Sequence, residues 1–294
     1  MAWRSIGDLL ESGGNEGGEV ALLGAPMESG SVTPGRCDLA PETVRRTLRR
    51  VSTYDLETGI DLDVLRVHDR GDVPVQGLSP AAGFGAIRAA VSAACADHAL
   101  TLLVGGNNAV TRPAAHGLNL PLERVGLITL DAHFDMRETD QGPMNGNPVR
   151  CLLEDGLPGR NIVQIGLAPF ANTAKMHEDA LAAGIGYFGI FEVMEDGIAT
   201  ILDHALARLA HVEALMVDFD IDVIDRAQMP GAPGARPGGM PVHMFFEAAR
   251  IIAMQPKVKL VDLTEFDPSL DLSDISALTA ARWVAEILAG YALR

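Results

Sequence analysis

The sequence predicts an α/β protein built on a largely parallel sheet sandwiched by helices. Three observations carry this expectation. Strand-like and helix-like segments alternate along nearly the whole chain, the pattern of successive crossovers between parallel strands. Two of the strand-like runs, at 125–130 and 214–217, are unbroken apolar stretches that suit strands buried on both faces. Each of these runs into a cluster of acidic residues, and open α/β sheets build their sites at the carboxyl ends of strands.

Taken in order, residues 1–18 are polar and glycine-rich and read as a short helix with a loose lead-in. Residues 19–24 form the first strand, followed by a long Gly/Pro loop. Residues 41–51 follow as a helix with proline near its start. A weaker strand at 65–68 precedes an alanine-rich helix at 81–99. The strand at 100–104 runs directly into Gly105-Gly106-Asn107-Asn108. Two glycines there permit a close backbone approach, but the pair is too short for a dinucleotide fingerprint. A helix at 113–118, the strand at 125–130 and a polar loop at 136–150 come next. Beyond lie strands at 161–166 and 184–188, helices at 174–183 and 199–209, and the second acidic strand. A Pro/Gly-rich loop at 226–239, a helix at 244–252, a strand at 258–263 and a closing helix at 275–293 complete the chain. No internal repeat or linker divides it, so residues 1–294 are expected to form a single domain.

The chemistry concentrates in two short stretches. Asp131-Ala132-His133-Phe134-Asp135 follows one apolar run, and Asp218-Phe219-Asp220-Ile221-Asp222 follows the other. Alternation along an extended chain directs 131, 133 and 135 to one side, and 220 and 222 to one side, with 218 joining them unless the strand bends. Unpaired carboxylates crowded at the end of a buried strand repel one another and lose hydration, so a cation is needed to hold them. The four charges of Asp131, Asp135, Asp220 and Asp222 match two divalent ions. One imidazole among many oxygens favours a hard ion such as Mn²⁺ over a zinc–thiolate site. The plainer alternative is acidic strand ends that cap helices or face solvent.

Composition narrows the field. A formal net charge of −16 leaves nothing to neutralise phosphates and argues against nucleic acid. Hydrophobic residues at 48% and charged ones at 21% are ordinary for a soluble protein. Cys37, Cys95 and Cys151 are widely spaced with no CxxC pair and read as free thiols in a reducing compartment. No stretch approaches transmembrane length, and a cytoplasmic location is expected.

These residues resemble the ureohydrolases, the family of arginase, agmatinase and formimidoylglutamase. The resemblance runs from about residue 19 to the end. It rests on Gly105-Gly106-Asn107-Asn108, on 131–135, on the stretch from Asp218 to Gly231, and on Glu265-Phe266-Asp267-Pro268, all in family order. It implies an arginase-like three-layer α/β/α sandwich with a mostly parallel sheet of about eight strands, commonly assembled as a trimer or hexamer. It further implies a binuclear Mn²⁺ centre bridged by Asp131 and Asp220, with Asp135 on one ion and His133 and Asp222 on the other. Such a centre generates hydroxide from water near neutral pH, and the hydroxide attacks an amidine-type carbon. Asp135 and Glu265 fall on the family's catalytic positions, and Glu265 matches the glutamate that pairs with substrate N–H groups.

Within the family, Asp131 to Arg137, Gly146-Asn147-Pro148-Val149-Arg150 and Gly166-Leu167-Ala168-Pro169-Phe170-Ala171-Asn172 are similar to the formimidoylglutamase branch. Arg137 is then a candidate for a substrate carboxylate, with Asn147 and, more weakly, Arg150 beside it. The plainer role for Arg137 is an ion pair with Glu138 or Asp140. Two positions depart from the pattern. Asn108 stands where the family carries a histidine ligand; an amide oxygen can ligate a hard ion but binds more weakly than imidazole. His116, in the following helix, is too distant in sequence to replace it. Val149 falls near the place of the arginase proton-shuttle histidine, which counts against arginase. Asp218 adds a charge where the family usually has a small hydroxyl residue. His68, His98, His177, His204, His211 and His243 read as structural or surface residues.

Three functions remain open on this reading. The leading one is hydrolysis of N-formimino-L-glutamate to glutamate and formamide. The second is urea release from agmatine or a guanidino acid. The third, suggested by Asn108, is a metal-poor relative without catalysis.

Overall fold

The structure, a computed structural model, describes residues 4–12 and 18–294. Nine strands are defined: β1 Leu10–Ser12, β2 Val20–Ala25, β3 Val67–Asp72, β4 Leu100–Gly105, β5 Val125–Leu130, β6 Ile162–Leu167, β7 Gly186–Gly189, β8 Ala214–Asp220 and β9 Val258–Thr264. They form one sheet in the order β1-β3-β2-β4-β9-β8-β5-β6-β7, and every pairing is parallel. The count exceeds the expected eight by the three-residue edge strand β1. That strand lies in the segment expected as a helix and lead-in, of which residues 1–3 and 13–17 fall outside the described part.

Nine helices connect the strands: α1 Ala40–Leu48, α2 Pro80–Asp97, α3 Thr111–His116, α4 Pro148–Glu154, α5 Ala174–Ala183, α6 Ile190–Asp196, α7 Ile198–Arg208, α8 Val242–Ala253 and α9 Ile275–Ala292. Side chains alternate along each strand, so the sheet supplies two cores. Leu22, Ile128, Val217 and Val261 pack on one face with residues of α1 and α6 to α9. Leu23, Leu127, Met216 and Leu260 pack on the other with residues of α2 to α5. This is the three-layer arrangement that the unbroken apolar strands require, with β2, β4, β5, β6 and β8 buried throughout. The polar loop expected at 136–150 ends early, at the start of α4, a helix not expected from the sequence. Pro148 in fact opens the helix, where a missing N–H costs nothing.

The strand order matters most for function. The chain passes from β4 to β5 across a gap that β8 and β9 later fill. Four central neighbours, β4, β9, β8 and β5, therefore release their carboxyl ends side by side, although they are remote in sequence. Phe219 anchors the middle of this group. It projects from β8 into the core and packs edge-on against Phe245 and Trp283, with ring centroids 5.5 and 5.4 Å away. Such pairs contribute about 0.5–1.5 kcal/mol beyond their burial. The packing fixes the register of the flanking Asp218 and Asp220.

Candidate metal centre

The four carboxyl ends deliver four groups of polar side chains to one place. Asn108 follows β4, the 131–135 segment follows β5, Asp220 and Asp222 end β8, and Glu265 follows β9. Strand alternation is not what orients the first motif, since β5 ends at Leu130 and Asp135 has a left-handed backbone with φ 52°. The His133 N–H instead donates to Asp131 Oδ1 at 2.7 Å, an Asx turn that folds His133 back over Asp131. The second motif repeats the device, with the Asp222 N–H donating to Asp220 Oδ1 at 2.9 Å. Both motifs thus bend their second ligand candidate toward the first.

His133 Nδ1 lies 3.3 Å from Asp131 Oδ1 and 3.2 Å from Asp222 Oδ2. Ligand atoms of Asp131, His133 and Asp222 all fall within 4.8 Å of one another. Asp135 stands outside this trio, and Asn108 Nδ2 donates to its Oδ2 at 2.6 Å. Asp220 lines the same cavity, together with His133, Asp135, Asp222 and Glu265. The cavity is about 130 Å³, room for an amino-acid-sized molecule and not for a polymer. Gly234 closes one wall so tightly that a Cβ there would collide with the Asp222 carboxylate. Gly106 likewise presses on the Met27 backbone, the close approach expected of the glycine pair.

Electrostatics show what this arrangement lacks. Asp131, Asp135, Asp220, Asp222 and Glu265 are all buried. Among the described residues, His133 is their one cationic partner. Burial and then the Asp222 charge push Asp131 up to about 6, and burial pushes Glu265 up to about 7. Burial also raises Asp135 and Asp220 well above the carboxylate range. The Asp222 charge raises His133 to about 12, and that imidazolium in turn helps hold Asp222 low. Asp131 Oδ2 is buried with no hydrogen-bond partner. An orphaned carboxylate oxygen beside an oxygen-rich set with one imidazole fits hard divalent cations, and protons otherwise take their part.

This predicts a pH dependence. For a carboxyl group raised in the folded state, stability is fully present below the unfolded pKa and is lost as pH rises through the folded value. Asp131 and Glu265 start from 3.8 and 4.5 and titrate at about 6 and about 7. Metal-free protein therefore loses stability between about pH 4 and 7, while cation binding displaces those protons. The rise in Tm on adding Mn²⁺ is expected to be small at pH 5.5 and larger at pH 8. Scanning calorimetry with and without Mn²⁺ checks this; a rise that shrinks with pH would contradict it.

Several residues behave differently from expectation. Asn147 is buried away from the cavity, where its amide donates to Glu138 O and Gly142 O and its Oδ1 accepts from Met144 N. It fastens the loop. Asn145, unremarked in the sequence, lines the cavity and donates to Glu265 Oε1 at 3.0 Å. Arg150 is occupied by Asp179 and Met136 O and does not reach the cavity. His116, at the end of α3, pairs with Asp155 just beyond α4 and is no ligand. Arg137 does line the cavity. Its expected acidic partners are turned elsewhere, Glu138 toward Arg150 and Lys175 and Asp140 toward Gln141. A second guanidinium, Arg236, lines the same cavity from the Pro/Gly-rich loop. Nothing in its sequence neighbourhood marked it, because it reaches the site only through the fold of that loop. Glu265, with φ 61°, is buried and takes the Asn108 N–H at 2.7 Å on Oε1, so it caps the 3-10 turn Asn108–Val110 from inside the cavity and does not face the surface.

A parallel sheet whose four central strand ends gather carboxylates around one imidazole makes a candidate metal centre in an α/β/α protein. The chain belongs to the arginase family, whose sequence model matches residues 18–290. It is 31% identical over 278 residues to formimidoylglutamase of Halalkalibacterium halodurans, covering 93% of this chain and 87% of that one. The crystal structure of formimidoylglutamase from Bacillus subtilis superposes with a TM-score of 0.94 at 26% identity, over 99% of this chain and 92% of that one. Trypanosoma cruzi formiminoglutamase, solved with Mn²⁺, gives a TM-score of 0.92 at 22% identity over the whole of both chains, a likeness of fold.

Proposed function

We propose that the protein is a Mn²⁺-dependent hydrolase of linear amidines that converts N-formimino-L-glutamate and water to glutamate and formamide. The observation that carries the substrate is the pair of guanidinium groups, Arg137 and Arg236, facing the cavity beside the carboxylate cluster. Formiminoglutamate has two carboxylates, and guanidinium groups bind carboxylates in forked fashion. Agmatine carries no carboxylate and a positive charge, and two free arginines repel it. The relatives named formimidoylglutamase support the same reading.

Asp131, His133, Asp135, Asp220 and Asp222 would hold the ions, with Asn108 as a sixth ligand. Two bound Mn²⁺ ions would acidify a shared water and polarise the electrophilic carbon. The protein does the rest. Glu265 engages Asn108 N and Asn145 through Oε1, leaving Oε2 to pair with the formimino N–H groups. Arg137 and Arg236 fix the glutamate end, which sets the scissile C–N bond over the cluster. The water that attacks supplies the proton that the leaving nitrogen needs, and Asp135, buried at the rim of the cavity, is placed to pass it on. No helix among the described residues is long and apolar enough to cross a membrane. The reading extends to a cytoplasmic homo-oligomer, a trimer or hexamer.

Product analysis tests this. Mn²⁺-loaded protein given N-formimino-L-glutamate is expected to release formamide and glutamate in equal amounts, with no urea from agmatine or guanidino acids. Urea release with an inert formimino substrate would sink it in favour of the guanidino reading.

A further inference from the structure

Behind the cluster lies a buried polar chain that the reaction does not use directly. Thr111 Oγ1 is 2.6 Å from Asn108 Oδ1 and 2.9 Å from Asp262 Oδ2. Thr111, Asn108 and Asp262 are all buried, and Asp262 stands in register with Asp218 on the neighbouring strand. A hydroxyl has one proton, so Thr111 can serve only one of these two oxygens. With Asn108 Oδ1 taking that proton, Asp262 Oδ2 goes without it, and Asp262 Oδ1 is buried without a donor other than a proton shared with Asp218. The ends of a carboxamide are nearly equal in shape, and their assignment follows the surrounding network. Exchanging them resolves the conflict: Asn108 Nδ2 donates to Thr111 Oγ1, and Thr111 donates to Asp262. The exchange also leaves Asn108 Oδ1 where Nδ2 now stands, 2.6 Å from Asp135 Oδ2. Two oxygens that close need a proton or a cation between them, and a bound cation displaces the proton.

We propose that Thr111 and Asp262 are positioning residues that turn the Asn108 carboxamide, so that its oxygen joins Asp135 as a metal ligand. The inference rests on reading the cluster as a metal centre. Asp262 acts as terminal acceptor, Thr111 relays, and Asn108 presents Oδ1 to the ion. The arrangement gives a neutral amide the fixed orientation that an imidazole ligand gains from a hydrogen bond on its second nitrogen. It also gives the buried Asp262 a function beyond its strand.

The test is Mn²⁺ binding by isothermal titration calorimetry to wild-type protein, Thr111→Val and Thr111→Ser, with circular dichroism as the folding check. Loss of such a supporting contact typically weakens metal affinity about 10–100-fold. Thr111→Val is expected to weaken one class of Mn²⁺ site by about that factor and spare the other, while Thr111→Ser restores it. Wild-type affinity in folded Thr111→Val overturns the proposal, as does an equal loss in Thr111→Ser. Wild-type protein that binds no Mn²⁺ overturns the metal-centre reading itself and this inference with it.

Discussion

Replacing Asp131 or Asp220 by asparagine is expected to abolish Mn²⁺ binding at the cluster and to lower formamide release by about 10³-fold. Both carboxylates are buried at the crossing of the two motifs, and burial raises both. Removing one charge weakens the hold on the cations, and several kcal/mol of charge stabilisation disappear at about 1.4 kcal/mol per factor of ten. Asparagine keeps the volume of the side chain, so the fold should survive. Metal-free Asp220→Asn is expected to be at least as stable as the metal-free wild type, because one buried carboxylate has been neutralised. Plasma emission analysis of bound manganese, alongside single-substrate kinetics, checks the pair of outcomes. Unaltered turnover in either variant would remove the cluster from the mechanism.

Arg137→Ala and Arg236→Ala are each expected to lower kcat/KM for N-formimino-L-glutamate by about 10–100-fold. A hydrogen-bonded charge pair is worth about 1.5–3 kcal/mol. The effect should fall mainly on KM, because both groups touch the tail and not the reacting carbon. Neither arginine supports the fold: Arg137 and Arg236 are exposed, and the one hydrogen bond recorded for the Arg236 side chain runs to the adjacent Ala235 O. Steady-state kinetics on both variants checks this. A loss in kcat with KM unchanged would place these arginines elsewhere in the reaction, and no loss at all would take away the argument for a dicarboxylate substrate.

The site was legible in the sequence where it is local. Asp131, His133 and Asp135 lie within five residues, and Asp220 and Asp222 within three, each following a run too apolar to be anything but a buried strand. What draws them together in space is the insertion of β8 and β9 between β4 and β5. That order leaves no mark in any one segment, and for Asn108 and Glu265 only family resemblance tied the segments together. The turns that orient the second ligand of each motif are Asx turns, where strand alternation was expected. Loop residues were the least legible. Asn145 and Asn147 differ by two positions in one polar stretch, yet one lines the cavity and the other braces the loop. Arg236 and Asp262 carried no local signal, the first in a Pro/Gly-rich loop and the second inside an ordinary apolar strand. Asp218, an unexplained charge in the sequence, is buried opposite Asp262 in β9. Burial and the Asp262 charge raise it, consistent with a proton shared between the two.

The most direct measurement is formamide release from N-formimino-L-glutamate by chelator-stripped protein, titrated with Mn²⁺ at pH 8. The account predicts negligible release without the metal and a rate that climbs with Mn²⁺ to saturation. A rate independent of Mn²⁺, or no release at saturating Mn²⁺, would contradict it.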